Sequence, residues 1–335
     1  MIILVQKDYA SMPSVSSTEE TTQESMARSK DFFFYPYNHI RLKASQDHLR
    51  TCERLYKLFK QAELPFRVAA RRDAWQDQLQ DPSTDYVIST GGDGTFLESA
   101  SHLTSSHTTL IGIRSSRYSA GELCAFKECQ LDQLVEILTG SKTFKHCLAT
   151  RMQATIITEQ QLLQPSLSTP PQHSVPVLND CLFVSAHPGA ASRYLLRGNA
   201  CGTPLVEKHI SSGIWVYTGT GSTAGALSAG GKPFAKDDPK LAFRLREPLR
   251  QSSGMLSYAC PPFKLHNGDF LPIAAKNYSM EHLYTQPLII KNLMEKAYLV
   301  VDGRDELLIH RGDMIIFEPA PPLKLVDKID KNNTA

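Results

Sequence analysis

Apolar residues fall in short runs along most of this 335-residue chain, and the spacing of those runs changes partway. MIILVQ at the start reads as a first strand. Through QDHLRTCERLYKLFKQA, Leu49, Cys52, Leu55, Tyr56 and Phe59 recur at helical spacing with basic residues between them. That predicts an amphipathic helix of about four turns. Phe66 to Ala70, Tyr86 to Thr90 and Leu110 to Ile113 are short β-rich runs separated by helical or turn-rich pieces. Strand, helix, strand order implies a parallel sheet with helices on its faces. Beyond residue 143 the runs MQATIIT, LFVS, YLLR, GIWVYT, LAFRLR, LPIAA, AYLVV and MIIF follow one another with few helical patterns between them, so this part should be mostly β. The expected organisation is an α/β N-terminal domain with a parallel sheet over 1–143, a β-rich C-terminal domain over 144–320, and a tail over 321–335 that begins as a last strand and frays.

Two stretches lack periodicity. Residues 11–31 are polar, charged and nearly free of aliphatics, which cannot repay ordering entropy, and are expected to be a mobile insertion. Residues 159–173, EQQLLQPSLSTPPQH, should be a surface loop between strands.

Composition narrows the function classes. Thirty-six Lys+Arg against 34 Asp+Glu leave a net charge of +2, which gives little electrostatic support for binding nucleic acid or an anionic membrane. The seven cysteines form no C-x-x-C pair and are odd in number, so neither a zinc ribbon nor a full disulfide framework is suggested and a reducing, cytoplasmic setting is expected. MIILVQ is too short for a signal peptide and has no basic residues before it. No window approaches the ~18 consecutive apolar residues of a spanning helix, so a soluble protein is expected.

The glycines are clustered. Of 19, three lie in Gly91-Gly92-Asp93-Gly94 and six between Gly213 and Gly231. Each cluster lies beside an apolar β run and precedes a small-residue helix start, the arrangement in which backbone N–H groups and a helix N-terminus receive an anion. Two phosphate-cradling loops are therefore expected, against the plainer reading that the glycines only make tight turns. In the first loop, Asp93 would repel a phosphate unless it holds a magnesium ion or takes a proton from an attacking hydroxyl. Thr95 is placed to cap the helix running through Phe96, Leu97 and Leu103. In the second, Gly219 to Ala224 fits G-x-G-x-x-A, but no second apolar run precedes Asp237 and Asp238, so an NAD-dependent dehydrogenase is a minority reading. The chain has no G-x-x-x-x-G-K-[ST] loop, no H-R-D or D-F-G set and no H-E-x-x-H, and no metal-ligand set is expected; His187, His209 and His266 stand alone.

Taken together, STGGDGTFLESASHL, LNDCLFVSAHPGAASRYLL and SSGIWVYTGTGSTAGALSAGG resemble the NAD kinase family in order and separation, over about residues 85–313. GGDGT alone is shared with diacylglycerol and sphingosine kinases, which keeps a lipid kinase as the alternative; GSTA followed by LSAGG is far more specific. The SSG opening of the second loop, the Asn-Asp pair and the PGAASR segment look most like the plant-type NADH kinase branch. The resemblance implies a two-domain NAD kinase-like fold and ATP-dependent phosphorylation of NAD(H) at the adenosine ribose 2′-hydroxyl, with Mg2+ arriving with ATP. It also implies a homodimer or homotetramer. Asp93 would take the place of the general base, within a nucleotide-binding loop of Gly91, Gly92, Gly94 and Thr95. Asn179 and Asp180 match the family's Asn-Glu pair, which contacts the adenosine and ribose groups. Gly221, Ser222, Thr223 and Ala224 match its nucleotide-lining loop. Three departures bear on the acceptor: Ser212 stands where the main branch has an acidic residue, Gly225 where it has tyrosine, and Asp180 where it has glutamate. Arg193, Lys208, Arg244 and Arg246 are candidates to neutralise phosphate charge, although alternating basic residues in a strand such as LAFRLREP are more often a solvated face.

Overall fold

The computed structural model describes residues 1–7, 35–70, 79, 81–163, 173–187, 189–200, 203–249, 281–284 and 287–327. The expected insertion at 11–31 and the run LPIAA lie outside these. The chain divides into two compact units, one of Met1–Cys147 with Lys324–Ala335, the other of Leu148–Leu323.

The first unit is α/β. Strands β1 (Ile2–Gln6), β2 (Phe66–Ala70), β3 (Tyr86–Gly91) and β4 (Thr109–Arg114) form a parallel sheet in the order β2-β1-β3-β4. The start of β4 also pairs with Lys324 and Leu325, and its end pairs in parallel with β5 (Phe126–Lys127). Ile2 to Val5 are all buried, as a strand covered on both faces requires. Helices α1 (Tyr35–Gln61), α2 (Asp93–His102) and α3 (Leu131–Leu138) complete the unit. Its core joins Leu55 and Phe59 of α1, Leu131 and Leu134 of α3, and Ile2, Leu4, Ile88, Ile111 and Phe126 of the sheet. Helix α1 is longer than its apolar period suggests, and Leu49 is 57% exposed rather than part of the buried face. The buried stripe runs His48, Thr51, Cys52, Leu55, Phe59, spaced three and four apart.

The second unit is β-rich. One sheet pairs β10 (Thr203–Ser211), β9 (Ser192–Ala200), β14 (Leu288–Asn292) and the first part of β17 (Met314–Val326), with β6 (His146–Ile157) and β7 (His173–Val177) alongside. The other runs β13 (Glu281–Tyr284), β12 (Leu241–Leu245), β11 (Ile214–Tyr217), β8 (Asp180–Ser185), β15 (Lys296–Val301) and β16 (Asp305–His310), antiparallel throughout. Tyr194, Leu196, Leu288 and Phe317 of the first sheet share one core with Phe183, Ile214, Val216 and Leu299 of the second. Each such buried side chain contributes about 1.5–3 kcal/mol.

MIIF and LKLV, read separately in sequence, are one strand; its prolines fall between the residues paired to β14 and those paired to β4. The stretch expected as a loop at 159–173 instead opens as a short helix, α4 (Glu159–Leu163), and ends at the first residue of β7. LAFRL is not a solvated face: all five residues of β12 are buried, because it lies between β11 and β13.

Candidate active site

In the first unit, β3 ends at Gly91 and α2 begins two residues later at Asp93. The Thr95 and Phe96 N–H groups both donate to Gly92 O, closing the first helical turn. Thr95 does not cap this helix. Gly92 occupies the cap position with no side-chain bond, and Thr95 is buried inside the first turn against Gly91, where an added Cβ would lie 2.5 Å from Thr95 Oγ1. Gly94 is different: nothing lies within 4 Å of where its Cβ would be. Asp93 is half-buried, and its Oδ1 accepts the Leu123 N–H at 2.8 Å. Its Oδ2 has no partner among the described residues. A carboxylate anchored by one oxygen and open at the other is oriented for proton acceptance.

In the second unit, Asn179 and Asp180 form a buried corner entering β8. The Asp302 carboxylate holds it: Oδ1 accepts the N–H of Asn179 at 2.8 Å and of Asp180 at 3.2 Å, and Oδ2 accepts that of Leu178 at 3.2 Å. The Asp302 N–H returns a bond to Asp180 O at 2.9 Å. On the other side, the Thr218 hydroxyl donates to Leu178 O and accepts the Gly221 N–H at 3.2 Å. The Asn179 side-chain carbonyl oxygen is buried without a partner among the described residues. Burial, and then the charge of Asp302, push Asp180 up to about 7. Asp302 is also raised by burial, while its three N–H donors act the other way and favour its charged form.

Asp302 was not singled out from sequence. The signal available there was the Asp-Gly dipeptide between AYLVV and ELLIH, a hairpin turn signature. Nothing local says that the turn reaches back 123 positions to Asn179.

The second glycine loop is not a second helix-capped cradle. It forms a single 3₁₀ turn, Gly221–Thr223, followed by the four-residue helix α5 (Gly225–Ser228), too short for an appreciable dipole. Three of its glycines face the chain's own backbone. A Cβ at Gly219 would overlap Ala235 O, one at Gly221 would overlap Asn179 O, and one at Gly231 would lie 2.8 Å from Ala226 O. The Ser222 hydroxyl is buried, donating to Gly219 O at 2.6 Å and accepting the Phe234 N–H at 3.1 Å. Thr223 is exposed and Ala224 half-buried. A Cβ at Gly225 would lie 3.0 Å from the Trp215 ring, so an aromatic surface is present there, supplied by β11. Ser212 is half-buried in the turn between β10 and β11, its N–H on Arg246 O. Arg244 is buried and its Nε donates to Ala229 O, tying β12 to the end of α5. Among the described residues no group of three or more His, Cys, Asp or Glu side chains is arranged to hold a metal ion.

No family model matches the chain. A probable NADH kinase of Oryza sativa subsp. japonica is 29% identical over 201 residues, 54% of this chain and 57% of that protein. A bifunctional NADP phosphatase/NAD kinase of Methanocaldococcus jannaschii is 26% identical over 265 residues, 78% of this chain and 39% of that protein. The chain thus spans well under two thirds of the length of both. An NAD kinase of Methanospirillum hungatei JF-1 is 27% identical over 244 residues, 72% of this chain and 74% of that protein. Two solved structures share the fold. The yeast NADH kinase complexed with NADH has a TM-score of 0.58 at 19% identity, over 79% of this chain and 66% of that one. The Archaeoglobus fulgidus NAD kinase in complex with ATP has a TM-score of 0.56 at 16% identity, over 98% of this chain and 93% of that one. The resemblance to the NAD kinase family is thereby borne out in sequence and in fold, with a probable NADH kinase of a plant among the relatives.

Proposed function

We propose that this protein transfers the terminal phosphoryl group of ATP to the adenosine ribose 2′-hydroxyl of NAD or NADH, giving NADP or NADPH. The observation that carries this reading is the Asp93 carboxylate, held by the Leu123 N–H through one oxygen and open at the other, in the first turn of a helix that follows a glycine-rich strand end. A ribose hydroxyl is a poor nucleophile, and phosphoryl transfer depends on positioning and charge neutralisation more than on covalent chemistry. Asp93 is the base that accepts the hydroxyl proton, and Gly94, with open space above it, lets a phosphate approach the backbone. Magnesium comes with the nucleotide and neutralises its phosphates.

In this reading Asn179 and Asp180 contact the adenosine and ribose. The unpartnered Asn179 oxygen is an acceptor awaiting a donor, and a protonated Asp180 can donate to a ribose oxygen while an ionised one accepts from a hydroxyl. Gly221 and Ser222 act indirectly, by packing the loop onto that corner. The enzyme is a cytoplasmic homodimer or homotetramer; seven cysteines, odd in number and with no C-x-x-C pair, fit a reducing setting.

Purified protein assayed with ATP and magnesium against NAD, NADH, diacylglycerol and no acceptor tests this reading. Dinucleotide phosphorylation is expected; phosphorylation of diacylglycerol alone would replace it with the lipid kinase. With neutral Ser212 where an acidic residue would favour the cationic oxidised ring, NADH should be used at least as well as NAD. Ser212→Asp should shift kcat/KM towards NAD several-fold, about 1 kcal/mol for a partly exposed charge pair. An unchanged ratio would remove Ser212 from the account of selectivity.

A further inference from the structure

The first unit contains a cavity of about 500 Å3 that none of the proposed catalytic or dinucleotide-binding residues lines. Its wall includes Arg50, Arg114, Arg117 and Lys127, facing only two carboxylates, Asp47 and Glu128. Both carboxylates are already engaged by Arg50: Nη2 lies 3.0 Å from Asp47 Oδ1, and Nε lies 2.9 Å from Glu128 Oε1. Arg117 Nε stands 3.9 Å from Asp47 Oδ2. Arg114 and Lys127 have no carboxylate partner among the described residues.

Those two cations are register partners. Arg114 ends β4 and Lys127 ends β5, and they sit opposite one another across the parallel pair. Like charges placed so are destabilising unless an anion offsets them. Arg114 is moreover fixed in place. Its Nε donates to Ser116 O at 3.2 Å and its Nη2 to Arg117 O at 2.7 Å, while its stem packs on Gly121, where a Cβ would lie 2.6 Å from Arg114 Cδ. Gly121 has φ +65°, a conformation that favours glycine. An arginine ordered before any ligand arrives loses little further entropy on binding, which is what a binding group requires and a solvated surface charge lacks. A guanidinium beside an ammonium, with a surplus of two positive charges in the cavity, matches a phosphate monoester or polyphosphate.

We propose that this cavity binds a phosphorylated small molecule, with Arg114 and Lys127 as its principal anchors. Two sources share that chemistry, the polyphosphate tail of a nucleotide and a separate phosphorylated effector. Ser115, also in the wall, donates its N–H to Gly91 O at 3.0 Å, so the cavity adjoins the backbone of the first glycine loop. The proposal does not depend on which acceptor the enzyme uses, or on its being a dinucleotide kinase.

Calorimetric titration of the full chain with tripolyphosphate and with inorganic phosphate tests it. The parent should bind tripolyphosphate, Lys127→Gln should weaken it several-fold, and Arg114→Gln with Lys127→Gln at least about tenfold, since each removes a hydrogen bond to a charged group. Lys127 is exposed, so its single variant keeps the test valid should loss of Arg114 loosen the 114–117 loop. Lys142→Gln, which removes an exposed lysine paired with Glu136, should leave affinity unchanged. Parent-like binding by both cavity variants, an equal loss in Lys142→Gln, or no binding by the parent would each overturn the proposal. Repeating the titration with ATP present separates the sources: competition that Lys127→Gln weakens assigns the nucleotide tail, and undiminished tripolyphosphate binding assigns a separate effector.

Discussion

Asp93 offers two oxygens in two environments, and an asparagine would reproduce only one of them. The Asp93→Asn side chain can still accept the Leu123 N–H through its own Oδ1, so the loop and its stability should persist. It cannot take a proton, and turnover should fall by ~10²–10⁴. Circular dichroism together with steady-state kcat checks this; a parent-like kcat would remove Asp93 as base. Glycines divide in the same manner, by what faces them. Gly221 is pressed against the Asn179 carbonyl, so Gly221→Val should destabilise the second unit by about 1–3 kcal/mol or more through overpacking, before any ligand is considered. Gly94 faces open space in the first turn of α2. Gly94→Ala should hold or raise stability, as alanine is ~1 kcal/mol better than glycine in a helix, yet lower kcat/KM by obstructing the phosphate. Denaturant melts and kinetics on the two variants should therefore move in opposite senses. A soluble, stable Gly221→Val protein with weakened nucleotide binding would return that glycine to the ligand.

The turn joining β15 to β16 explains how a hairpin can serve a corner far away in sequence. Asp302 at φ +49° and Gly303 at φ +66° occupy its two central positions, with the Arg304 N–H on Val301 O. Two positive φ values match the twist of the strands it joins, and they aim the Asp302 carboxylate back at Leu178, Asn179 and Asp180. Asp302→Ala would leave three buried N–H groups unpaired at about 1–3 kcal/mol each. Asp302→Asn keeps an acceptor and tolerates the backbone. Stability should fall in the order parent, Asn, Ala, with KM for the dinucleotide rising more than kcat falls; an alanine variant as stable as the parent would end this account. Much of the first unit was legible in sequence for a local reason: each parallel strand is a contiguous apolar run, and α2 follows its glycines directly. Helix α1 was underestimated because residues 35–45 offer little apolar period, and Leu49 misled because a lone outward leucine fits the same count. The two glycine clusters look alike along the chain. They differ in that Gly94 of the first faces open space while Gly219, Gly221 and Gly231 of the second face backbone, which is a long-range property, as is the burial of Arg244 between two strands that flank it only in the fold.

At pH 7 the net charge is only +2, so self-repulsion is a minor influence near neutrality, and individual buried groups set how each unit responds locally to pH. The two units carry opposite ones. In the first, burial and then Lys7 lower His48 to about 4. Its unfolded form binds a proton near pH 6.5 and its folded form does not, so this unit loses stability as pH falls from about 6.5 towards 4. In the second, Asp180 is raised to about 7. Here the folded form holds the proton that the unfolded form releases near pH 4, so stability is greatest below that and declines as pH rises from about 4 through 7. Each full pKa unit corresponds to about 1.4 kcal/mol, enough to make the two slopes measurable. Asp180→Asn, which removes a buried ionisable group while keeping its shape, should flatten the decline above pH 4 and leave the acid-side loss in place. His48→Gln should do the reverse, since the glutamine amide can still bond the Ser115 hydroxyl that His48 Nδ1 contacts at 2.9 Å. Hydrogen exchange followed by peptide mass spectrometry from pH 4 to 8 reads the units separately. Protection in β3 and β4 should grow with pH, and protection in β8 and β15 should shrink once the intrinsic exchange rate is divided out. Parallel pH trends in both sets of strands, or an Asp180→Asn variant with the parent's slope, would show that neither buried group sets the response.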